Sequence, residues 1–542
     1  PYQPGSPLQT TWIDLIYARP GSGKSVLSNA INFSLCLQGG LTRLPRISVI
    51  DIGPSSAGLI SLIQEALPAN LRYQAAYHRL QMTEEYSINP FDTHLGCRTP
   101  FPQERSFLVN FLTLLATPIG MDAPYDGIAD MAGIVVDEGY KLFADDGTPN
   151  LYTSGIESAI DKIIKDIDFK VDSKTTWWEV TDALFHAGYI VEASTAQRNA
   201  VPLLSDLTSV ARQPSIVDLY GKIKVPTGES LIDCFTRMLS AAIREYPILS
   251  RYTKFDIGNA KVVSLDLDEV AKSGGDAANR QTAVMYMLAR YVLAKDFYIN
   301  KDIVPMLPES YRDYHQKRIV EIRDDAKRIV MDEFHRTSKA QAVRDQVIVD
   351  MREGRKWKVQ ICLISQSLDD FSSQMIDFAT TSFIMDSGPE QAIQQTTKVF
   401  GLSKTAENAL REYVHGPRSD GATFLALIAT KDKTHTQLLT ATLGPIELWA
   451  LSTTAEDVQV RDALYHSIGP KEARRVLSNV FPSGTAMKYI SDKFDEVKQA
   501  GTLVDDNVSK SVITNLIHTI QECYQKDPNF KSLLQGSSPS TA

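Results

Sequence analysis

Short apolar runs alternate with segments of helical periodicity at the start of the chain. Trp12 to Ala18 has the composition of a buried strand, and apolar residues recur at helical spacing in Ser25 to Leu37. Arg46 to Ile52 and Ala57 to Leu67 repeat this order. Two strand–helix units within about 70 residues are typical of a parallel sheet with crossover helices. The pattern therefore predicts an α/β fold.

The pattern changes between Pro102 and Arg251. Apolar residues recur there at helical spacing, and no run alternates with a period of two. We therefore expect an inserted all-helical domain. Its predicted helices are Glu104 to Thr117, Met131 to Ala144, Ser154 to Ile167, Trp177 to Phe185, Leu203 to Val210 and Leu231 to Glu245.

Strand-like runs return after this stretch. They are Ala260 to Leu267, Arg328 to Phe334, Lys358 to Ser365, Thr381 to Met385, and a hairpin of Ala422 to Ala429 with Thr434 to Leu443. The charged stretch Met306 to Lys327 is predicted to be a solvated helix. Helices dominate beyond Glu456, and Gln535 to Ala542 has the composition of a disordered tail. The expected division is a first part of the sheet domain at 1–101, the helical insertion at 102–251, the second part at 252–455, and C-terminal helices with the tail at 456–542.

Composition and charge narrow the range of functions. The chain has 542 residues, with 56 basic and 65 acidic side chains and a net charge of −9. Such a surface repels phosphate backbones, which counts against a dedicated nucleic-acid binder. The five cysteines are scattered without metal or disulfide spacing, so reduced thiols are expected.

No membrane span is predicted. The most apolar stretch, Phe107 to Ala116, is about half a membrane span long and is interrupted by polar residues, so it is predicted to be a core helix. The chain begins at Pro1 without an initiator methionine or a signal peptide. We therefore expect it to be a piece of a longer protein.

The chemistry begins with the loop Ala18 to Ser25, which lies between the first predicted strand and helix. A phosphate cradle needs glycines whose backbone N–H groups point inward, a lysine for the terminal phosphates and a hydroxyl for Mg²⁺. Gly21, Gly23, Lys24 and Ser25 supply them, although Ala18 stands where glycine is usual. This pattern predicts ATP and Mg²⁺ as ligands. The residues predicted to bind the nucleotide are Arg19, Pro20, Gly21, Ser22, Gly23, Lys24, Ser25 and Val26.

An acidic pair supplies the expected second half of an ATPase site. Ile329 to Glu333 is an apolar run that ends in Asp332 and Glu333, and it is expected beside the strand of the phosphate loop. Asp332 is predicted to hold Mg²⁺ together with Ser25, and Glu333 to polarise the attacking water. Leu265 to Glu269 also ends in acidic residues, but we interpret it as a strand end with a helix cap.

Other side chains are weaker candidates. Gln366 follows the strand Gln360 to Ser365 and is predicted to sense the γ-phosphate or hold the water, although a surface amide is equally open. In ring ATPases an arginine of a neighbouring subunit neutralises transition-state charge. Arg355 is the first candidate for that role and Arg418 the second, and a solvated arginine remains open for both. His335 is interpreted as incidental.

Several motifs together resemble the conjugation and type IV secretion ATPases typified by TraC, and within them the Dot/Icm type IVB branch. They are Ala18 to Ser25, Asn89 to Phe91, Ile329 to Glu333, Gly354 to Lys356, Ser365 to Ser367, Leu443 to Pro445 and Leu448 to Thr454. The resemblance implies a RecA-like P-loop ATPase core of the FtsK/HerA branch with an inserted all-α domain. It also implies Lys24 and Ser25 as Walker A residues, Asp332 and Glu333 as Walker B residues, Gln366 as a sensor and Arg355 as an arginine finger.

The resemblance further implies partners and a place of action. Members of the family form hexamers that hydrolyse ATP between subunits, together with sister secretion ATPases and inner-membrane subunits. They act at the cytoplasmic face of the bacterial inner membrane, so protein effectors are expected substrates. Membrane contact would come from a preceding region or from partners. Two other functions stay open: a DNA translocase or helicase of the FtsK type, and a ring subunit that binds nucleotide with little turnover.

Overall fold

The computed structural model describes residue 9 and residues 11–38, 42–121, 123–386, 388–418, 420–499 and 506–533. The strands in these ranges are β1 (Ile13–Tyr17), β2 (Arg46–Asp51), β3 (Ala75–Arg79), β4 (Val262–Asp266), β5 (Lys327–Met331), β6 (Val359–Ser365), β7 (Thr381–Ile384), β8 (Gly416–Arg418), β9 (Gly421–Ala429) and β10 (Thr434–Ala441). The helices up to residue 245 are α1 (Lys24–Cys36), α2 (Ala57–Ala66), α3 (Pro102–Leu115), α4 (Ile128–Phe143), α5 (Ser158–Asp166), α6 (Trp177–His186), α7 (Ile190–Arg198), α8 (Leu204–Val210), α9 (Pro214–Tyr220) and α10 (Leu231–Glu245). The later helices are α11 (Gly275–Ala294), α12 (Arg312–Asp324), α13 (Gln341–Trp357), α14 (Ser373–Phe378), α15 (Glu390–Phe400), α16 (Lys404–Tyr413), α17 (Pro445–Leu451), α18 (Ala455–Ile468), α19 (Pro470–Val480), α20 (Met487–Gln499) and α21 (Asp506–Lys526).

All the strands belong to one sheet in the order β10-β9-β7-β1-β6-β5-β2-β4-β3, with β8 paired to β9. Adjacent strands from β7 to β3 in this order are parallel, whereas the pairs β7–β9, β8–β9 and β9–β10 are antiparallel. Parallel neighbours need crossover connections, which the helices supply, and antiparallel neighbours can follow each other through tight turns. The predicted α/β class is confirmed, with a sheet that is mainly parallel.

Short elements were missed from the sequence. β3 is a five-residue edge strand and β8 has only three residues with a proline, so neither has a period long enough to detect. The helices α7 and α9 are also short. The charged stretch Met306 to Lys327 contains α12, but His315, Ile319 and Ile322 are buried, so this helix is solvated on one side only.

Helices α3 to α10 follow one another without an intervening strand in the described residues between Pro102 and Glu245. Phe111, Leu112 and Leu115 of α3 are fully buried in the largest hydrophobic cluster, which confirms that this apolar stretch is a core helix. Across the ranges that the structure describes, no helix combines the length and the apolar character needed to span a bilayer. The division of the chain into domains stays a prediction.

The segment after the sheet docks on α2. A Cβ atom at Gly58 would lie 1.7 Å from the carbonyl oxygen of Ala450, so only glycine lets α17 approach α2 this closely. Arg461 is buried and donates hydrogen bonds from Nη1 to the carbonyl oxygens of Ala450 and Ser452, each at 3.0 Å. These contacts satisfy the end of α17, where carbonyl groups lack helical partners. The predicted tail, 535–542, lies outside the described residues.

A buried polar network links the three central strands. Arg328 of β5 donates to Asp14 of β1 at 2.7 Å and to the amide oxygen of Gln360 of β6 at 2.5 Å. The amide nitrogen of Gln360 donates to Asp14 at 2.9 Å. Arg328 and Asp14 are 2% and 1% exposed, so their charges depend on each other. Because a shift of one residue would separate these groups, the network specifies the register of β1, β6 and β5.

Replacing Arg328 tests this network. Arg328→Met leaves the Asp14 carboxylate buried without its cation, which is expected to cost about 3 to 5 kcal/mol of unfolding free energy. The urea midpoint of unfolding measures the loss. Arg212→Met is the matched control, because the Arg212–Asp233 pair is more than half exposed and is expected to contribute at most about 1 kcal/mol. Equal midpoints for the two variants would contradict the assigned role of the network.

Candidate functional site

The loop between β1 and α1 has the geometry of an anion cradle. Gly21 and Gly23 have φ angles of 79° and 85°, which residues with a Cβ atom rarely adopt. A Cβ atom at Gly21 would meet no atom within 4 Å, so the space above the loop is open. The first turn of α1 contains no acidic residue, and the N–H groups of a first helical turn lack acceptors within the helix and attract anions. The residues present therefore fit a bound phosphate group.

The other residues of the loop have different surroundings. Ala18 is buried and its N–H group donates to the carbonyl oxygen of Ser365 at 3.3 Å, so this small residue continues the sheet where glycine is usual. Arg19 and Pro20 are exposed, whereas Ser22 is buried. Val26, which was predicted to bind the nucleotide, packs against a hydrophobic cluster that includes Leu27, Val49 and Ile364.

Lys24 is folded back onto its own loop. Its side chain is buried, and Nζ donates to the carbonyl oxygens of Ala18 at 2.8 Å and Arg19 at 3.2 Å. Burial lowers the pKa of Lys24, and the charges of Glu333, Asp332 and Asp386 act in the opposite direction. The ammonium group is thus held at the loop by carbonyl groups that a phosphate oxygen can replace.

The acidic pair Asp332 and Glu333 follows β5, which is one strand further from β1 than expected. β6 lies between β1 and β5, so the expectation that the strand of Asp332 is the direct neighbour of β1 is wrong. Strand order depends on long-range pairing, which the spacing of motifs does not specify. Because the three strands are parallel, their carboxyl ends still meet at one edge of the sheet. Ser25 donates from Oγ to Oδ2 of Asp332 at 2.8 Å.

The Asp332 carboxyl is buried among other acidic groups. Burial raises its pKa to about 6, and the charge of Glu333 adds to this effect. Asp51, at the end of the neighbouring strand β2, is buried too, and burial and the charge of Asp332 raise its pKa well above the usual range. Asp51 was not singled out from the sequence, where it lies within the predicted strand Arg46 to Ile52. An additional positive charge at this edge would relieve the crowding of negative charge, so Ser25 and Asp332 fit a divalent cation.

Glu333 is held in a strained position. Its φ angle is 52°, one of three positive values among the non-glycine residues that the structure describes. Such a conformation costs about 1 to 3 kcal/mol and is concentrated at functional sites. Gln366 donates from Nε2 to Oε2 of Glu333 at 2.9 Å, and Nδ1 of His335 lies 3.1 Å from the same oxygen. His335 had been interpreted as incidental, so its place beside Glu333 is a difference that a lone histidine in the sequence did not signal.

The acidic strand end in Leu265 to Glu269 has a different role from the pair Asp332 and Glu333. Asp266 accepts hydrogen bonds from the N–H groups of Gly53 and Asp268 and from the hydroxyl of Tyr77, at 2.7 to 2.9 Å. No helix begins there, since α11 starts at Gly275. The predicted strand end is confirmed, but the predicted helix cap is wrong, because the carboxylate stabilises loops instead.

The two arginine candidates lie at opposite edges of the sheet. Arg355 is exposed in the last turn of α13, just before the amino end of β6, so it lies away from the loop of its own chain. Arg418 ends β8, which packs on the loop: a Cβ atom at Gly416 would lie 3.5 Å from Cα of Ser22, and one at Gly23 would lie 3.6 Å from Pro417. Arg355 is therefore remote from the phosphate loop of its own chain, whereas β8 brings Arg418 close to that loop.

Comparisons with known proteins add little to this geometry. No protein-family model and no curated protein sequence matches the chain. Among solved structures, VirB4 of Thermoanaerobacter pseudethanolicus is similar to this chain with 13% sequence identity and a TM-score of 0.46. The likeness covers 81% of this chain and 91% of that one. A similarity at this level does not identify the family of the chain or its function.

The buried acidic cluster predicts a stability effect with a defined pH dependence. Because the pKa of Asp332 is raised to about 6 in the folded state, its ionisation opposes folding above that pH. Asp332→Asn is expected to stabilise the protein without nucleotide or Mg²⁺ at pH 7.5, by up to about 3 kcal/mol. The gain should shrink as the pH falls from 6 to 4, where Asp332 is already protonated. Thermal unfolding at several pH values measures it.

The matched control is Asp432→Asn, which neutralises an exposed carboxylate in the turn between β9 and β10. This variant is expected to change the midpoint little at any of these pH values. A destabilised Asp332→Asn protein at pH 7.5 would contradict the raised pKa.

Proposed function

We propose that the chain is a P-loop ATPase that binds ATP with Mg²⁺ at the carboxyl edge of its sheet. The observation that carries the proposal is the hydrogen bond between Ser25 and Asp332, which joins residues 307 positions apart. Ser25 follows the lysine of the phosphate loop, and Asp332 precedes the strained Glu333. A hydroxyl and a carboxylate on one side of a phosphate cradle, with a second carboxylate beside them, are the groups that hydrolysis of a phosphoanhydride requires.

Each side chain then has a defined task. The N–H groups of Gly21, Gly23 and Lys24 bind phosphate oxygens, and Nζ of Lys24 exchanges its two carbonyl partners for phosphate oxygens. Ser25 and Asp332 hold Mg²⁺, which neutralises negative charge on the phosphates when it is bound.

The hydrolytic step is assigned to Glu333. Its carboxylate accepts the proton of the attacking water, and the amide of Gln366 orients the carboxylate through the hydrogen bond between them. Nδ1 of His335 lies 3.1 Å from the same oxygen.

The finer assignment rests on the resemblance of the motifs to the TraC-type ATPases. We propose a RecA-like core of the FtsK/HerA branch, with residues 102–251 as an inserted helical domain between two parts of the nucleotide-binding domain. The proposed role is a motor subunit of a type IV secretion system, specifically of the Dot/Icm type IVB branch. It would drive effector transfer or assembly of the apparatus at the cytoplasmic face of the inner membrane, as a hexamer with sister ATPases and inner-membrane subunits.

The position of Arg355 supports a site that is shared between subunits. An arginine at the amino edge of the sheet meets the phosphate loop at the carboxyl edge only if two copies stack head to tail. We therefore assign the finger to Arg355 of a neighbouring subunit, with Arg418 as the alternative within one chain.

The central experiment measures phosphate release from ATP. Lys24→Ala is expected to lower turnover roughly 100-fold or more, because the terminal phosphates lose their cation. Glu333→Gln should keep nucleotide binding and lose turnover, since it removes the base but not the cradle. Lys431→Ala, at an exposed turn lysine, is the control and should behave as wild type. A folded Lys24→Ala protein with wild-type turnover would refute the assignment.

Mixing two inactive variants tests the shared site. Arg355→Ala and Lys24→Ala should each be inactive alone, yet a mixture should regain turnover. In a mixed oligomer the intact loop of the Arg355→Ala subunit can meet Arg355 of the Lys24→Ala subunit. Arg418→Ala is the matched control: if Arg418 acts within its own chain, mixing it with Lys24→Ala restores nothing. Mixed oligomers of Arg355→Ala and Lys24→Ala that stay inactive would contradict a finger in trans.

A further inference from the structure

The phosphate loop is held by a carboxylate that no sequence motif indicated. Asp386 follows β7, the neighbour of β1 on the side away from β6. Its two oxygens accept a bidentate pair of hydrogen bonds from Arg19, with Nε at 3.0 Å and Nη2 at 3.2 Å. The hydroxyl of Ser22 donates to the same carboxylate at 3.3 Å, and the N–H group of Gly388 at 2.8 Å. One buried carboxylate thus contacts two residues of the loop.

Asp386 itself is fixed by the sheet. Its backbone forms a bridge to His415, and the next residue, Gly416, packs on Ser22. Its side chain is 8% exposed, whereas that of Arg19 is 60% exposed. When the pair separates, the arginine moves and the carboxylate stays in place.

Both cations of the loop therefore have partners within the chain. Arg19 is paired with Asp386, and Lys24 binds two loop carbonyl groups. A phosphate group is the stronger partner for arginine, because it offers several charged oxygens to the planar guanidinium group. The carboxylate also opposes phosphates bound in the adjacent cradle, since like charges repel strongly where water is partly excluded. A bound nucleotide must therefore displace Asp386 from Arg19 and also lie close to the repelling charge of its carboxylate.

We propose that Asp386 is a positioning residue that sets nucleotide affinity: it holds Arg19 and Ser22 in place, and the phosphates of a nucleotide displace it from Arg19. The proposal rests on the proposed nucleotide site. It assigns Arg19 a second position, on the phosphates, and it makes the affinity for nucleotide lower than the cradle alone would give. Release of the product is faster for the same reason, because Asp386 recaptures Arg19.

The test is the equilibrium binding of fluorescent ADP and ATP analogues with Mg²⁺ to the full chain. Asp386→Asn keeps the size of the side chain and an acceptor oxygen for the N–H group of Gly388, and its amide nitrogen can donate to the hydroxyl of Ser22, but it removes the charge. It is expected to bind both nucleotides roughly tenfold more tightly and to release them more slowly. Affinity equal to or weaker than that of wild type would overturn the proposal, because a carboxylate that only shapes the loop gives that result.

Arg19→Gln provides an independent arm. In the wild-type background it should weaken binding only slightly, because Arg19 must first give up Asp386. In the Asp386→Asn background the same substitution should weaken binding several-fold more, since Arg19 is then free to bind phosphate. Equal effects in the two backgrounds would overturn the exchange of partners. If Asp386→Asn does not fold, Arg19→Gln alone still tests the proposal. Unchanged nucleotide affinity of Arg19→Gln would then refute it, because Arg19 would make no contact with the phosphates.

Two controls separate this inference from the proposed function. Glu390→Gln removes a carboxylate four residues away that is paired with Arg411, and it should leave nucleotide affinity unchanged. If wild-type protein binds no nucleotide, the proposed function fails and the role of Asp386 fails with it. If wild type binds, Lys24→Ala does not, and Asp386→Asn equals wild type, only the inference about Asp386 is wrong.

Discussion

The buried contact between Arg328 and Asp14 is the constraint on which the site depends. It joins β5 to β1 across β6, and Gln360 of β6 completes it. Parallel strands have no short turn to set their register, so side-chain contacts of this kind must specify it. A slip of one residue would move the end of β5 by about 3.3 Å and turn its side chains to the other face. The hydrogen bond between Ser25 and Asp332 would then be lost.

With the register set, the carboxyl edge of the sheet concentrates opposed charges. Asp332 and Asp51 lie at the ends of neighbouring strands and are buried. Burial raises the pKa of both carboxyls, and the charge of Glu333 adds to the effect at Asp332 while the charge of Asp332 adds to it at Asp51. Lys24 and Arg19 are the cations of the loop, and both are bound to groups of the chain itself. This crowding of charge costs stability, and a bound ligand with phosphates and a divalent cation would relieve it. Stability and function therefore oppose each other at this edge.

Features formed by residues close together in the sequence could be predicted, whereas contacts between distant residues could not. Strand, loop and helix are contiguous around Lys24, so the cradle and the α/β class could be inferred from spacing alone. The chemistry of Asp332 was inferred from residue types. Its strand was wrongly expected beside β1, because strand order comes from long-range pairing that motif spacing does not specify. Asp386 is 367 residues from Arg19 and belongs to no motif, so its contact could come only from the structure. His335 is a similar case, since one histidine has no periodicity to mark it.

A structure of the protein with Mg²⁺ and a non-hydrolysable ATP analogue is the sharpest test of the proposed nucleotide site. The analogue's phosphates should occupy the loop, Nζ of Lys24 should leave the carbonyl groups of Ala18 and Arg19, and Ser25 and Asp332 should lie on either side of the cation. An analogue bound elsewhere on the chain, or a loop in which Lys24 still binds its own carbonyl groups beside the bound phosphates, would contradict the proposed site.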